Sequence, residues 1–169
     1  PCYNAESFIE GTIRSALAQI YENTEIIVVD NESNDKSLDI ITKVQAEHPE
    51  IIVDTAKNIY KYSWQEPVEK ALSLMTGDYF MMLGADDLIL PTYAKECIEF
   101  MLREKCEMMQ STIYCFSSQN KNGIKPHSAM SYNYSSMYEY KSRLLQNCCV
   151  VTPSVVYKKS VITDYTFEM

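Results

Sequence analysis

Asp86 and Asp87 stand side by side at the end of an unbroken apolar run, Tyr79-Phe80-Met81-Met82-Leu83, with Gly84 and Ala85 between. Five apolar residues without alternation predict a strand covered on both faces, as in a parallel α/β sheet. Two carboxylates at the carboxyl end of such a strand repel each other and are partly desolvated. Their natural partner is a cation or a hydrogen-bonding ligand. Gly84 has no Cβ, so it lets the chain turn or a ligand come close. The plainer alternative is an acidic loop that caps the next helix. A second acid, Asp30, ends the β-branched run Ile26-Ile27-Val28-Val29 and is followed by Asn31-Glu32-Ser33-Asn34, which is turn chemistry. Asp30 can cap that turn as well as face a ligand.

The elements that must position these acids follow from periodicity. Asn4 can cap a helix whose apolar residues Ile9, Ile13, Ala16, Leu17 and Ile20 share one face. A strand over Glu25 to Asp30 follows, and then a helix capped by Ser33 or Asn34, with Leu38, Ile41 and Val44 on one side and Pro49 closing it. Ile51-Ile52-Val53 is a short strand. A helix over Pro67 to Met75 ends at Gly77, read as a left-handed terminator. Pro91 starts another helix with Tyr93, Cys97, Phe100 and Met101 on one face, and Met108 to Phe116 reads as a strand. From Ser117 to Tyr138 the chain turns polar, with Tyr132, Tyr134 and Tyr138 interleaved, and predicts a long loop or a pair of edge strands. A short helix over Tyr138 to Gln146, a strand over Cys148 to Val156 interrupted by Pro153, and one helical turn over Lys159 to Ile162 complete the reading. Alternation of strand and helix means a parallel sheet with right-handed crossovers, and Asp30 and Asp86-Asp87 then fall on the sheet edge where ligands bind.

Composition narrows the classes. With 169 residues, 46% of them hydrophobic, the chain suits one domain with a sizeable core. A net charge of −8 argues against a nucleic-acid surface, which needs clustered Lys and Arg. No apolar run reaches the ~20 residues of a membrane span. The six cysteines, Cys2, Cys97, Cys106, Cys115, Cys148 and Cys149, form no CxxC pair and read as reduced thiols in a cytoplasmic protein. His48 reads as a solvated or capping residue, and His127 has no second ligand nearby in sequence. Trp64 and the three tyrosines could stack on a sugar or serve as rim and edge residues. Pro1 and Met169 both look internal to a longer chain, with the expectation that these residues alone are unstable or inactive.

The segments PCYNAESFIEGTIRSALAQIYENTEIIVVDNESNDKSLDII, TGDYFMMLGADDLILP and TPSVVYKKSVI together resemble glycosyltransferase family two, the inverting nucleotide-sugar transferases of the GT-A fold. The resemblance covers nearly the whole chain. It implies an α/β, Rossmann-like, mostly parallel sheet flanked by helices, with the first strand missing from the chain. It also implies a gap between the strands at Glu25–Asp30 and Tyr79–Leu83. One GT-A-like nucleotide-sugar-binding domain would span 1–169, with a donor-binding part over 1–116 and an acceptor-side part over 117–169.

Residue by residue, the resemblance implies that Pro1, Tyr3 and Asn4 line the nucleotide pocket with Ser33, and that Asp30 hydrogen-bonds the base. Asp86 would face the ribose, and Asp87 would hold a divalent Mg2+ or Mn2+ bridging the phosphates. The bottom-up counterpart is that consecutive side chains of an extended segment point to opposite sides. The implied reaction moves a sugar, with inversion and metal assistance, from a nucleoside-diphosphate sugar to a glycan or lipid-linked acceptor. A UDP-sugar is the first choice of donor. The implied setting is cell-envelope polysaccharide synthesis in the cytoplasm, with peripheral association at the inner membrane face through segments outside this sequence.

The base that takes the acceptor proton is expected beyond Met169, with Glu168 the weaker candidate. Gly84 stands where the family has the first acid of its DxD motif, Asn31 where it has a second acid, and Glu32 where it has a glycine. Pro67-Val68-Glu69-Lys70-Ala71 stands where it often has a donor-contacting segment. These departures leave a second reading, a nucleotide-sugar-binding domain without turnover. A receiver-like phosphoacceptor domain would want an acidic pair after the first strand and a late lysine, and neither is in place.

Overall fold

A computed structural model of the chain describes residues 1–58, 65–117, 120–127 and 154–161. The elements run α1 (Ile9–Leu17), β1 (Ile27–Asp30), α2 (Ser37–Glu47), β2 (Ile52–Thr55), α3 (Gln65–Leu74), β3 (Tyr79–Met81), α4 (Tyr93–Glu104), β4 (Met108–Gln110), β5 (Ile113–Ser117), β6 (Asn120–His127) and β7 (Val155–Lys158), closed by a 3-10 turn at Lys159–Val161. This is the α/β architecture implied by the sequence. The expected helix over 138–146, Trp64, Tyr132, Tyr134, Tyr138, Cys148, Cys149, Pro153 and Glu168 lie outside the described residues.

β1 and β2 pair in parallel, Ile27 opposite Ile52 and Asp30 opposite Thr55, with α2 as the crossover. On the other edge of β1, Cys2 forms a parallel bridge: its N–H donates to the Val29 carbonyl at 2.9 Å and its own carbonyl accepts the Asn31 N–H at 2.8 Å. The second sheet is antiparallel, in the order β3-β7-β4, so the strand that leads to the acid pair does not continue the parallel pattern. β7 belongs to the part expected on the acceptor side, yet it joins β3 to β4, and Phe80 stacks on Tyr157 across that pairing with ring centroids 5.2 Å apart. The single strand expected over Met108 to Phe116 is two strands, because at Ser111 the backbone leaves β7 after a bond to the Ser154 carbonyl. β5 then pairs antiparallel with β6, the described part of the polar segment.

Two cores hold the layers together. Ile9 and Ile13 of α1, Val28 of β1, and Ile41 and Val44 of α2 pack with Cys2, Ala5 and Ile51; Cys97 and Met101 of α4 pack on Val156 of β7. The helical periods are otherwise as read, but Leu38 and Phe100 are turned outward, and Ile20, expected on the α1 face, lies past the end of that helix and is exposed. β1 and β3 share no ladder. Between them lies a cavity of about 520 Å³ with walls from β1, α3, β3 and α4, lined by Val28, Val68, Leu72, Met75 and Met81 among others.

Several termini differ from expectation for local reasons. Asn4 does not cap α1. It adopts a left-handed φ of 48°, and its side-chain Oδ1 accepts the Asn34 N–H at 2.9 Å. α2 has no side-chain cap from Ser33 or Asn34 either, since Ser33 is taken by Asp30. Gly77 has no positive φ. Its lack of a side chain instead admits the Glu25 carboxylate, which accepts the N–H groups of Thr76 and Gly77, each at 2.7 Å, and the Thr76 hydroxyl at 3.0 Å. A Cβ on Gly77 would sit 3.2 Å from Glu25 Oε1. Glu25 is thereby a tie to the α3–β3 turn rather than a residue of β1. Cys2, Cys97 and Cys106 are free thiols, and burial pushes each of them up.

Candidate functional site

The carboxyl end of β1 is built by two loops stitched together. Asp30 is 1% exposed, and its carboxylate accepts the Ser33 N–H at 2.9 Å and the Ser33 hydroxyl at 2.6 Å. Ser33 Oγ in turn accepts the Asn4 N–H at 3.0 Å. Three further bonds repeat the stitch: Ala5 N–H to Ser37 Oγ at 2.8 Å, Glu6 N–H to Asp35 at 3.0 Å, and Lys36 N–H to Glu6 at 3.0 Å. The turn-capping role open to Asp30 is therefore real. The Asx-type turn it forms holds Asn4, Ser33 and Asp30 as one unit.

Tyr3 is exposed beside that unit, and Pro1 lines the cavity between the strands. Glu32 has a left-handed φ of 54°, a conformation that favours glycine, and its carboxylate accepts the Asn58 N–H at 3.1 Å beyond β2. The backbone demand explains why a glycine suits this turn. The carboxylate that stands there binds the neighbouring loop.

The acid pair is arranged differently from expectation. Residues 84–87 form a tight turn closed by the Asp87 N–H on the Gly84 carbonyl at 3.1 Å, not an extended segment. The two carboxylates therefore do not diverge by strand alternation. One oxygen from each converges on the space in front of the Gly84 Cα where a Cβ would sit: Asp87 Oδ2 lies closest, with Asp86 Oδ1 at 3.3 Å. Asp86 is exposed and Asp87 half-buried. Burial first and the Asp86 charge second push the Asp87 carboxyl up, against an opposing backbone hydrogen bond from Gly84.

Such a cradle of carboxylate oxygens fits a hard divalent cation, Mg2+ or Mn2+, whose remaining positions phosphate and water would fill. No group of three or more His, Cys, Asp or Glu side chains fit to hold a metal occurs among the described residues. No hydrogen bond joins the Asn4–Asp30–Ser33 unit directly to the acid pair. The element that touches both is α1, which leaves the first loop and donates from Thr12 Oγ1 to the Ala85 carbonyl at 2.9 Å. Thr12 carried no sequence signal, because a threonine on a helix has many bland uses.

The family model of Glycosyl transferase family 2 matches residues 1–166. The chain belongs to this family. Among relatives of this family member is the Escherichia coli UDP-Glc:alpha-D-GlcNAc-diphosphoundecaprenol beta-1,3-glucosyltransferase WfaP, 28% identical over 165 residues, which are 98% of this chain and 61% of that protein. Among solved structures, Staphylococcus aureus TarS 1–349 in complex with UDP-GlcNAc superposes with a TM-score of 0.69 at 19% identity, covering 97% of this chain and 45% of that one. The mannosyltransferase PcManGT from Pyrobaculum calidifontis, in complex with GDP-Man and Mn2+, has a TM-score of 0.65 at 14% identity, covering 96% of this chain and 44% of that one. These likenesses establish the GT-A fold. The chain spans 49–61% of the length of the first three curated relatives. No helix among the described residues is long and apolar enough to cross a membrane.

Proposed function

We propose that this chain belongs to an inverting glycosyltransferase that takes a UDP-sugar and serves a glycan or lipid-linked acceptor, with residues 1–116 as its donor-binding part. The observation that carries the reading is the pairing of two polar clusters across α1. One is the Asn4–Asp30–Ser33 unit at the end of β1, and the other is the carboxylate cradle over Gly84. In a member of this family the first cluster suits a nucleoside and the second a diphosphate. Tyr3 and Pro1 would flank the base, Asp30 would accept from it, and Asp86 would meet the ribose while Asp87 holds the cation. A divalent ion bound there supplies Lewis-acid stabilisation of the charge that develops on the leaving diphosphate.

The protein's own work at this site is to bind and orient. The buried Asp30 fixes the turn, and the turn of 84–87 brings both carboxylates to one side. The choice of a UDP-sugar draws on the relative whose name specifies UDP-Glc and on the TarS complex with UDP-GlcNAc; the choice of metal draws on the Mn2+ of PcManGT. The part over 117–169 is taken as the acceptor side, and the location as the cytoplasm with peripheral association at the inner membrane face.

Isothermal titration of the full-length protein with UDP, GDP and dTDP sugars, with and without Mn2+, tests the reading. The expected result is metal-enhanced binding of the UDP-sugar, followed by release of UDP when acceptor is supplied. Binding of none of the nucleotides refutes the reading. Binding without release of UDP under any acceptor favours a domain that binds and does not turn over.

A further inference from the structure

The loop that carries the acid pair is held on one side by α1 and the turn that follows it. Thr12 and Ser15 fall at i and i+3 on α1, and Gln19 lies in the turn just past its end at Leu17. Each meets the loop. Thr12 Oγ1, in a side chain only 5% exposed, donates to the Ala85 carbonyl at 2.9 Å; Ser15 Oγ accepts the Ile89 N–H at 3.3 Å. Gln19 uses both ends of its amide, donating to the Leu90 carbonyl at 2.8 Å and accepting the Ala94 N–H, one of the unpaired amides in the first turn of α4, at 2.9 Å. The backbone adds Ile20 N–H to the Pro91 carbonyl at 2.9 Å. Within the loop there are only two short turns, Asp87 to Gly84 and Tyr93 to Leu90. Among the described residues, the hydrogen bonds that leave 84–92 run to α1, to the turn that follows it and, from the Leu90 and Thr92 carbonyls, to the first turn of α4.

At its other end α1 follows Asn4 and Ala5, which are tied to Ser33 and Ser37. We propose that Thr12, Ser15 and Gln19 are positioning residues that set the Asp86–Asp87 cradle at a fixed distance from the nucleoside end of the site. This rests on the donor-site reading above. An apolar α1 face would fill the same volume but leave the loop carbonyls without donors. The cradle would then stand loose relative to the first cluster, and outer groups that orient metal ligands are worth about 10–100-fold in metal affinity.

The test uses full-length Thr12→Val, Thr12→Ser and Gln19→Leu, with UDP titrated at several Mn2+ concentrations. Thr12→Val and Gln19→Leu are expected to keep metal-free UDP affinity within about 2-fold while the Mn2+ required for half-maximal enhancement rises about 10-fold, and Thr12→Ser restores it. Hydrogen exchange at the Ala94 amide should quicken in Gln19→Leu whether or not nucleotide is present. Unchanged Mn2+ dependence in folded variants, or metal-free affinity falling in step with it, overturns the positioning role. Should Thr12→Val fail to fold, the half-buried Gln19 decides alone. Wild-type protein that binds no UDP overturns the donor reading itself, a result distinct from loss of the positioning effect.

Discussion

Replacing Ser33 by alanine removes the hydroxyl that joins the two loops at the end of β1. That hydroxyl donates to Asp30 Oδ1 at 2.6 Å and accepts the Asn4 N–H at 3.0 Å. A hydrogen bond to a charged acceptor contributes about 1.5–3 kcal/mol, and Asp30 is too buried for water to replace the lost partner freely. The Asn4 bond is exposed, water competes for it, and its loss costs about 0.5 kcal/mol. The sum is about 2–3.5 kcal/mol, which for a domain of this size lowers Tm by roughly 4–14 °C. Urea unfolding followed by far-UV circular dichroism measures it as a lower midpoint at constant slope. Ser73→Ala is the control: Ser73 Oγ donates only to the Lys70 carbonyl of its own helix, at 2.7 Å, and its loss should stay within about 0.5 kcal/mol. Equal midpoints for Ser33→Ala and Ser73→Ala would refute the account of the first cluster as a single hydrogen-bonded unit.

Asp87→Asn should abolish the Mn2+-dependent part of nucleotide binding and leave the metal-free part, as titration calorimetry would show. Because the folded Asp87 carboxyl is pushed up by burial and by Asp86, its contribution to stability is present at low pH and lost as pH rises through its folded pKa. The Asn variant should therefore melt no lower than wild type at pH 7, and wild-type Mn2+ enhancement should fade on acidification at a pH above the ordinary aspartate range.

Glu25 has the opposite sign. Burial pushes its carboxyl up, but hydrogen bonds from Gly77 and Thr76, with Lys159 nearby, outweigh this and hold it below the usual carboxylate range. Its contribution is present above the ordinary glutamate pKa and lost as pH falls through the folded value. The Tm deficit of Glu25→Gln at neutral pH should accordingly close in acid. Gly84→Ala would place a Cβ against Asp87 Oδ2, the mobile end of a side chain, so unfolding should change by less than about 1 kcal/mol while Mn2+ enhancement weakens. Ile41→Ala, at 1% exposure in the first core, should cost about 2–5 kcal/mol by chemical unfolding.

The features legible in the sequence are those set by near neighbours along the chain. The helical faces of α1, α2 and α4, the β-branched strand before Asp30, the turn chemistry after it, and the acids at two strand ends all follow from residue spacing. Side-chain period and turn preference act over a few residues. The gap between β1 and β3 was an expectation only through the family resemblance, not through residue spacing.

Tertiary structure alone decided which polar group meets which. Asn4 had the composition of a helix cap and became the partner of Asn34, and Gly77 had the composition of a helix terminator and became the seat of Glu25. The strand leading to the acid pair found an antiparallel partner in β7, with Met81 opposite Val156. The two carboxylates, expected to diverge, converged because the chain turns at Gly84. For Asn4 and Gly77 the local preference was small, about a kilocalorie per mole or so. A partner brought close by burial of the apolar faces from 30 and 52 residues away outweighed it. The sequence alone therefore determined which elements form and which acids they deliver to the sheet edge. The packing of α1 against both loops decided where those acids stand relative to one another, because unsatisfied polar groups next to a core must take the partners that burial leaves within reach.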